Sequence, residues 1–413
     1  MIEELREEVL KRLDISKEVK DEEILECIDE VITKKSREEY LSLSVRRQLR
    51  KNIFDSLRRL DILQELLDDT EITEIMVNGY QDIFVERKGE MERVALQFAS
   101  KERLADIIQQ IASKVNRRVN EASPIVDARL EDGSRVNIVL DPVAMNGPIV
   151  TIRKFFKEAI TMKHLVEWQT ITQETADMLK EMVIAGYNIF ICGGTGSGKT
   201  TFLNAMSNFI PSKERIITIE DSAELQIAGV ENLVRMETRN ATTEGVEEIR
   251  IRDLIKASLR MYPKRIILGE VRGEEAFDLL QAMGTGHDGS MSTGHGNSCK
   301  DMLQRLETMV LMGIEMPILA IRGQIVSGID ILIHLGRLRD KSRKVLEVAE
   351  VLPLEDGEYR INVLYSFQER GEEKGKVIGE LVGSRGRLKQ IQKLKNAGIY
   401  WEEWGADENK EGK

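Results

Sequence analysis

Histidine is scarce in this sequence, four residues in 413, and cysteine is scarcer still, at three. Cys27, Cys192 and Cys299 lie far apart and form no CxxC pair. That spacing excludes a disulfide framework and a zinc ribbon, and it fits a reducing compartment. No apolar run approaches the ~18–20 residues needed to span a bilayer. The longest, MVIAGYNIFIC, is too short and leads into a glycine loop. Any membrane role is therefore expected to be peripheral, through a partner. Basic residues are outnumbered, leaving a formal net charge of −11, and aromatics make up only 5%. Both features argue against general nucleic-acid binding, which favours a basic face with stacking platforms, although a local basic groove stays open. The opening MIEELREEVLKRLD is acidic and amphipathic, unlike a signal peptide. The chain has no internal repeat, no long low-complexity segment and no NKxD-type guanine-selecting motif.

With 41% apolar and 32% charged residues, the chain can bury a real core and is expected to form two or three domains. Residues 1–60 read as a helical extension, with Ile2, Leu5, Val9 and Leu13, then Ile24, Ile28 and Val31, then Leu49, Ile53 and Leu57 at helical spacing. The basic stretch SVRRQLRKN is a solvated helix face or a docking surface for an acidic partner. Over 61–157 the texture changes to short strands around Asn78-Gly79 and Lys88-Gly89. A helix carrying Leu104, Ile107, Ile108, Ile111 and Val115 follows, then a hairpin across Asp132-Gly133. This is an α+β domain with Arg129, Arg135 and Arg153 emerging from its sheet. From 158 to 370 strands and helices alternate, with one helix placed over 246–260, which implies a mostly parallel sheet covered on both faces. Residues 371–413 form a C-terminal extension whose charged tail, ADENKEGK, is expected to be disordered.

Three stretches carry chemistry. GGTGSGKT, residues 193–200, fits G-x-x-x-x-G-K-[ST] between an apolar strand and a helix, the context a phosphate-cradling loop requires. Gly193, Gly194, Thr195, Gly196, Ser197 and Gly198 would offer backbone N–H groups to a β-phosphate. Lys199 would neutralise β/γ oxygens, the Thr200 hydroxyl would ligate Mg²⁺, and Thr201 continues the helix. In RIILGEVRGEE, 265–275, a strand delivers Glu270 with Arg272 close behind. A carboxylate at that place in a P-loop sheet lies near Mg²⁺ and the attacking water, against the alternative of an ordinary surface glutamate. In IITIEDSAEL, 216–225, another strand delivers Glu220, Asp221 and Glu224. Three carboxylates together need Mg²⁺ or arginines to neutralise them, although a helix cap at Asp221 or Ser222 competes.

GHDGSMSTGHGNS, 286–298, holds half of the histidines, His287 and His295. A metal site joining them to Cys299 lacks zinc-like spacing and an evident fourth ligand. A structural histidine pair is the plain alternative. The reading preferred here is a γ-phosphate sensor that couples nucleotide state to domain movement.

Together GGTGSGKT, TIEDSAE, IILGEVRGEEA and GHDGSMSTGHGNS, in this order, resemble the type II/type IV secretion ATPase superfamily, which drives bacterial secretion and pilus assembly. VNEASPIVDARLEDGSRVN and VTIRKF look most like its Cpa/Tad branch, which powers tight-adherence pili. The resemblance implies an α/β, RecA-like P-loop NTPase core with a mostly parallel sheet, preceded by an N-terminal sensory-like α+β domain. It implies a homohexameric ring with ATP and Mg²⁺ at the domain junction, at the cytoplasmic face of the inner membrane, passing motion to membrane platform proteins. N-terminal-domain arginines reach the phosphates in this family, making Arg129, Arg135 and Arg153 candidates, with Arg272 a further nucleotide-binding candidate. Glu270 carries over as the Walker B glutamate, and Glu220, Asp221 and Glu224 as the acidic box, Asp221 with Thr200 toward Mg²⁺. Lys199, His287 and His295 complete the expected catalytic set. The four-cysteine insertion of the type II branch is missing, so no structural zinc is expected, and the segment after about 370 has no counterpart. Two other classes remain in view: a RecA-like nucleic-acid motor, disfavoured by the acidic balance, and a nucleotide-switched scaffold with little hydrolysis.

Overall fold

The computed structural model describes residues 1–13, 17, 19–115, 118–155, 160–239, 247–384 and 387–400. The charged tail ADENKEGK, expected to be disordered, lies outside the described residues with the rest of 401–413, as do 240–246. The chain divides into two compact units, Met1–Lys157 and Glu158–Lys413.

The first unit begins with three helices, α1 (Ile2–Arg12), α2 (Asp21–Glu38) and α3 (Leu43–Arg58). Their apolar positions recur at three- and four-residue spacing, so one face of each turns inward. Leu5, Val9, Ile24, Ile28, Val31, Ile32, Leu49 and Ile53 form a core of their own. Ser42 starts α3 by accepting the Val45 N–H, a standard N-cap. After α4 (Ile62–Asp68) come β1 (Ile72–Asn78), β2 (Asp82–Arg87), β3 (Glu90–Arg93), α5 (Lys101–Lys114), β4 (Ile125–Arg129), β5 (Arg135–Val139) and β6 (Ile149–Arg153). The strands make an antiparallel sheet in the order β3-β2-β1-β6-β5-β4. Leu104, Ile107, Ile108 and Ile111 of α5 are buried against it; Val115 falls one residue beyond the helix, as its C-cap. The Asp132-Gly133 turn joins β4 to β5, with Gly133 at φ +93 where an L side chain is disfavoured.

The second unit runs α6 (Met162–Glu167), α7 (Gln173–Ile184), β7 (Ile189–Gly193), α8 (Lys199–Ser207), β8 (Arg215–Glu220), β9 (Asn232–Glu237), α9 (Ile251–Ser258), β10 (Arg265–Val271) and α10 (Glu275–Gly284). It continues with β11 (Met291–Gly294), α11 (Cys299–Gly313), α12 (Ile318–Gly328), β12 (Ile331–Arg337), β13 (Arg343–Glu355), β14 (Glu358–Glu373), β15 (Lys376–Gly383) and α13 (Gln392–Asn396). Nine strands form one sheet, β15-β14-β13-β12-β7-β11-β10-β8-β9. From β12 to β9 every neighbour is parallel, and from β12 outward to β15 every neighbour is antiparallel.

The parallel strands read as unbroken apolar runs because both faces are covered. Ile189 and Ile191 of β7 enter one core, while Phe190 and Cys192, pointing the other way, enter a second. The helix expected over 246–260 is shorter, α9 starting at Ile251 where Asp253 caps the Arg250 N–H at 3.0 Å. Residue 370 falls inside β14, so the sheet runs on through the segment read as an extension. Among the described residues no single helix is long and apolar enough to cross a membrane.

Candidate functional site

In a parallel sheet the C-terminal ends of the strands share one edge, and ligands gather there. β7 ends at Gly193, β8 at Glu220, and β10 carries Glu270 as its next-to-last residue; His295 follows the last residue of β11. Four separate sequence boxes thus meet at one edge.

The loop between β7 and α8 is shaped by its glycines. A Cβ on Gly193 would stand 2.3 Å from the Leu335 carbonyl oxygen and 2.7 Å from Ser197 Oγ, so β12 passes too close for any side chain. Gly198 caps α8 at φ +93, left-handed backbone that glycine adopts at no steric cost. The Lys199 ammonium lies back over the loop, donating to the carbonyls of Gly193 and Gly194 at 3.1 Å each. Ser197 Oγ is buried with no hydrogen-bond partner among the described residues. A buried hydroxyl is rarely left so. With the glycine-lined cradle and the parked ammonium, it fits a loop that receives phosphate oxygens.

From Lys199 a continuous polar chain crosses the strand ends. Lys199 Nζ is 3.4 Å from His295 Nδ1, and His295 Nε2 is 2.8 Å from Glu270 Oε1. Glu270 Oε2 accepts from Arg272 at 2.7 Å, and Arg272 stands 4.0 Å from Asp221. Burial, reinforced by the Lys199 charge, holds the His295 pKa below its ordinary value, with Glu270 pulling the other way. A neutral imidazole can accept from the ammonium at Nδ1, while Nε2 lies close to Glu270 Oε1, which has no hydrogen-bond partner among the described residues. The carboxylates beside Arg272 hold its pKa up, Glu270 foremost.

Glu220 behaves differently from Glu270. It is only 3% exposed, and its Oε2 accepts the N–H groups of Glu224 and Leu225 at 2.6 and 2.8 Å. One oxygen therefore builds the turn that carries the acidic box, while Oε1 is without a hydrogen-bond partner among the described residues. Burial pushes this carboxyl up despite those bonds. Glu224 follows on the same turn, its carbonyl taking a bond from Asn204 at 3.4 Å. Gly269 sits opposite, where a Cβ would come 3.2 Å from Glu220 Cγ.

His287 is not brought to this cluster. It precedes β11 while His295 follows it, so the two lie at opposite edges of the sheet. Its Nδ1 is 3.2 Å from the Ala282 carbonyl and its own carbonyl accepts from Ser290 Oγ at 2.7 Å, which ties it to the end of α10. The two histidines of GHDGSMSTGHGNS therefore do not come together, since a whole strand lies between them, and His295 is the one that reaches the cluster. The same strand separates His287 from Cys299, which begins α11 just past His295. Among the described residues no group of three or more His, Cys, Asp or Glu converges as a metal site. Magnesium needs no such cage, since phosphate and water oxygens fill most of its octahedron; the Asp221 and Glu270 carboxylates, both beside Arg272, are oxygen donors of the kind it takes.

In the first unit, register lines up the three candidate arginines. Arg129 faces Arg135 across β4 and β5, and Arg135 faces Arg153 across β5 and β6. Directly paired residues share a face of the sheet, and like charges so placed repel. Glu74, opposite Arg153, offsets part of this at 3.7 Å. Arg129 also donates to the Gly133 carbonyl at 3.2 Å and lies over the Phe155 ring.

Two features escaped the sequence. A cavity of about 220 Å³ opens beside the P-loop, lined by Leu165, Trp168, Thr170, Thr201, Phe202 and Arg343 among others. Arg343 also donates its Nε–H to the Gly196 carbonyl at 2.9 Å. Neither carries a motif, since the residues come together from α6, α8 and β13.

The sequence profile of the family described as Type II/IV secretion system protein matches residues 57–392. The chain belongs to this family. Among its secretion-family relatives, a putative conjugal transfer protein of Mycobacterium tuberculosis is 31% identical over 330 residues, 78% of this chain and 93% of that one. The type IV secretion system protein VirB11 of Brucella suis is 33% identical over 303 residues, 67% of this chain and 84% of its own length. An uncharacterized protein of Methanocaldococcus jannaschii is 43% identical over 274 residues, but the match spans only 38% of that longer chain. Among solved structures, the pilus retraction motor PilT with bound ADP aligns with a TM-score of 0.51 at 18% identity, covering 82% of this chain and 87% of PilT. The Legionella pneumophila ATPase DotB aligns with a TM-score of 0.51 at 19% identity, covering 71% and 80%. These last two likenesses speak to the fold alone, an α/β architecture with a RecA-like core.

Proposed function

We propose that this type II/IV secretion family protein hydrolyses ATP, and that it works as a homohexameric motor at the cytoplasmic face of a membrane-embedded secretion or pilus machine. The observation that carries the reading is the unbroken chain Lys199–His295–Glu270–Arg272 across the strand ends beside a glycine-shaped loop. ATP-driven secretion joins the family to that chemistry. The 220 Å³ cavity beside α8, with Trp168 and Phe202 in its wall, is the place for the nucleobase.

In this reading the loop from Gly193 to Thr201 holds the phosphates, and Lys199 leaves its two carbonyls for β/γ oxygens. Glu270 orients the attacking water and accepts its proton as the terminal phosphoryl group leaves as phosphate, with ADP the other product. Bound Mg²⁺, held through Thr200 and Asp221, would neutralise developing charge on the phosphate oxygens. His295 keeps Glu270 and Lys199 in register, and Arg272 supplies further positive charge. Glu220 and Glu224 shape the acidic turn. The tight-adherence branch rests on VNEASPIVDARLEDGSRVN and VTIRKF, and membrane platform proteins are its corresponding partners.

Fluorescent ADP binding and steady-state phosphate release by the wild type and Lys199→Ala test this reading. It predicts Mg²⁺-dependent turnover that is lost in the variant, and a six-subunit mass in sedimentation. Equal turnover by both proteins would refute the site; strong stimulation by single-stranded DNA at physiological salt would instead favour a nucleic-acid motor.

A further inference from the structure

The turn that joins β12 to β13, residues 338–342, touches the P-loop on one side and the C-terminal strands on the other. Arg343, the first residue of β13, donates its Nε–H to the Gly196 carbonyl at 2.9 Å. The same peptide is held at its other end, where Ser197 N–H donates to the Gly194 carbonyl at 3.3 Å. The arginine stem also packs on Gly198, where a Cβ would stand 3.3 Å from Arg343 Cδ.

The turn itself is closed by its own hydrogen bonds. Leu338 N–H donates to Ser342 O at 2.8 Å, Lys341 N–H to Leu338 O at 2.9 Å, and Asp340 Oδ1 accepts from Ser342 N and Oγ at 3.0 and 2.6 Å. Its outer side is tied to the added strands. Asp340 Oδ2 accepts the Val377 N–H of β15 at 2.9 Å. Arg339 forks onto Glu369 and Glu372 of β14 at 2.8 Å each.

We propose that this turn is a brace holding the P-loop in its phosphate-receiving shape, with Arg343 as the positioning residue and β14 and β15 as its anchor. The proposal rests on the ATP reading of the loop. A phosphate cradle works by aiming backbone N–H groups inward, so the carbonyls of the same peptides must be held outward. A loop with four glycines among its six residues before Lys199 has many conformations, and every population outside the receptive shape lowers apparent affinity in proportion. A donor fixed to the Gly196 carbonyl removes part of that loss through the loop; because Arg343 also lines the cavity beside the loop, Asp340→Ala, which leaves the arginine in place, separates the brace from direct contact with the nucleotide. This gives the segment beyond residue 370 a task that no motif assigns.

The test uses the full chain as wild type, Arg343→Ala, Arg343→Lys, Asp340→Ala and Lys199→Ala. The Kd for mant-ADP, KM and kcat for ATP, and Tm are measured for each. Arg343→Ala is expected to raise Kd and KM about 3- to 20-fold with kcat within about 3-fold of wild type. Asp340→Ala, which leaves the arginine itself in place, is expected to move both constants the same way by less, and Arg343→Lys to recover only part. Unchanged Kd and KM in Arg343→Ala overturn the brace. A fall in kcat of about 10³ with unchanged Kd overturns it too, because the guanidinium would then act on the transferring phosphoryl group. No effect of Asp340→Ala at unchanged Tm removes the anchor. If Lys199→Ala binds mant-ADP like the wild type, the ATP reading fails first, and that result is distinct from a failure of the brace alone.

Discussion

Replacing His295 by alanine probes the centre of the polar chain. The imidazole makes two contacts of unequal value, 2.8 Å to Glu270 and 3.4 Å to Lys199. Lys199 keeps its two carbonyl acceptors without it. Among the described residues Glu270 is left with Arg272, on its other oxygen, so the carboxylate can turn toward the guanidinium and away from the strand edge. The loss is one of aim, since the base remains. Misplacement of that kind costs roughly 10- to 100-fold in kcat, or about 1.4–2.7 kcal/mol of barrier. The same contacts set the pH dependence. Because the folded pKa of His295 lies below its unfolded value, the neutral form belongs to the native state. Its contribution to stability is complete above the unfolded pKa, near 6.5, and is lost as pH falls through the folded value. Turnover should fall over the same interval, as protonation ends acceptance from Lys199. The assay is phosphate release at saturating ATP across pH 5–8, with Tm as control. The alanine variant should be slower at neutral pH and lack the acid limb tied to His295. Wild-type kcat with an unaltered acid limb in the variant would refute the positioning role.

His287→Ala should stay within about 3-fold of wild-type kcat, because that ring is bonded at the far edge of the sheet; a loss as large as that of His295→Ala, measured side by side, would reverse the assignment. Gly193→Ala should weaken mant-ADP binding by about 10-fold or more, since the new methyl would overlap the Leu335 carbonyl; titration by fluorescence checks it. Glu350 is fully buried and accepts from Lys389 N, Gln390 N and Asn362 Nδ2. Glu350→Ala strands those donors, costing about 3 kcal/mol, seen calorimetrically as a Tm lower by roughly 6–12 °C.

The P-loop was legible because its chemistry demands glycines, a lysine and a hydroxyl in one contiguous stretch, and the apolar run before it marks a strand covered on both faces. Glu270 and Asp221 were legible for a related reason, each following an apolar strand that must end at the same sheet edge. The two histidines were grouped because spacing alone hides the four residues of β11 between them. The helical wheel of α5 told its buried face but not its end at Lys114. The alignment of Arg129, Arg135 and Arg153 in one row depends on strand register, which single arginines spaced along the chain do not encode. Arg343 was invisible, because its meaning comes from Gly196, 147 positions earlier. So was the sheet's continuation through β14 and β15: those strands alternate polar and apolar residues like any half-exposed hairpin, and nothing in that pattern says which sheet they join.

The central claim is that this strand edge hydrolyses ATP through Glu270, and single-turnover phosphate release by Glu270→Gln tests it most directly. The carboxamide keeps the size of the side chain and removes its ability to take a proton. ATP binding within about 3-fold of wild type, with release slowed by roughly 10²–10⁴, is the predicted result. Release at the wild-type rate would contradict it.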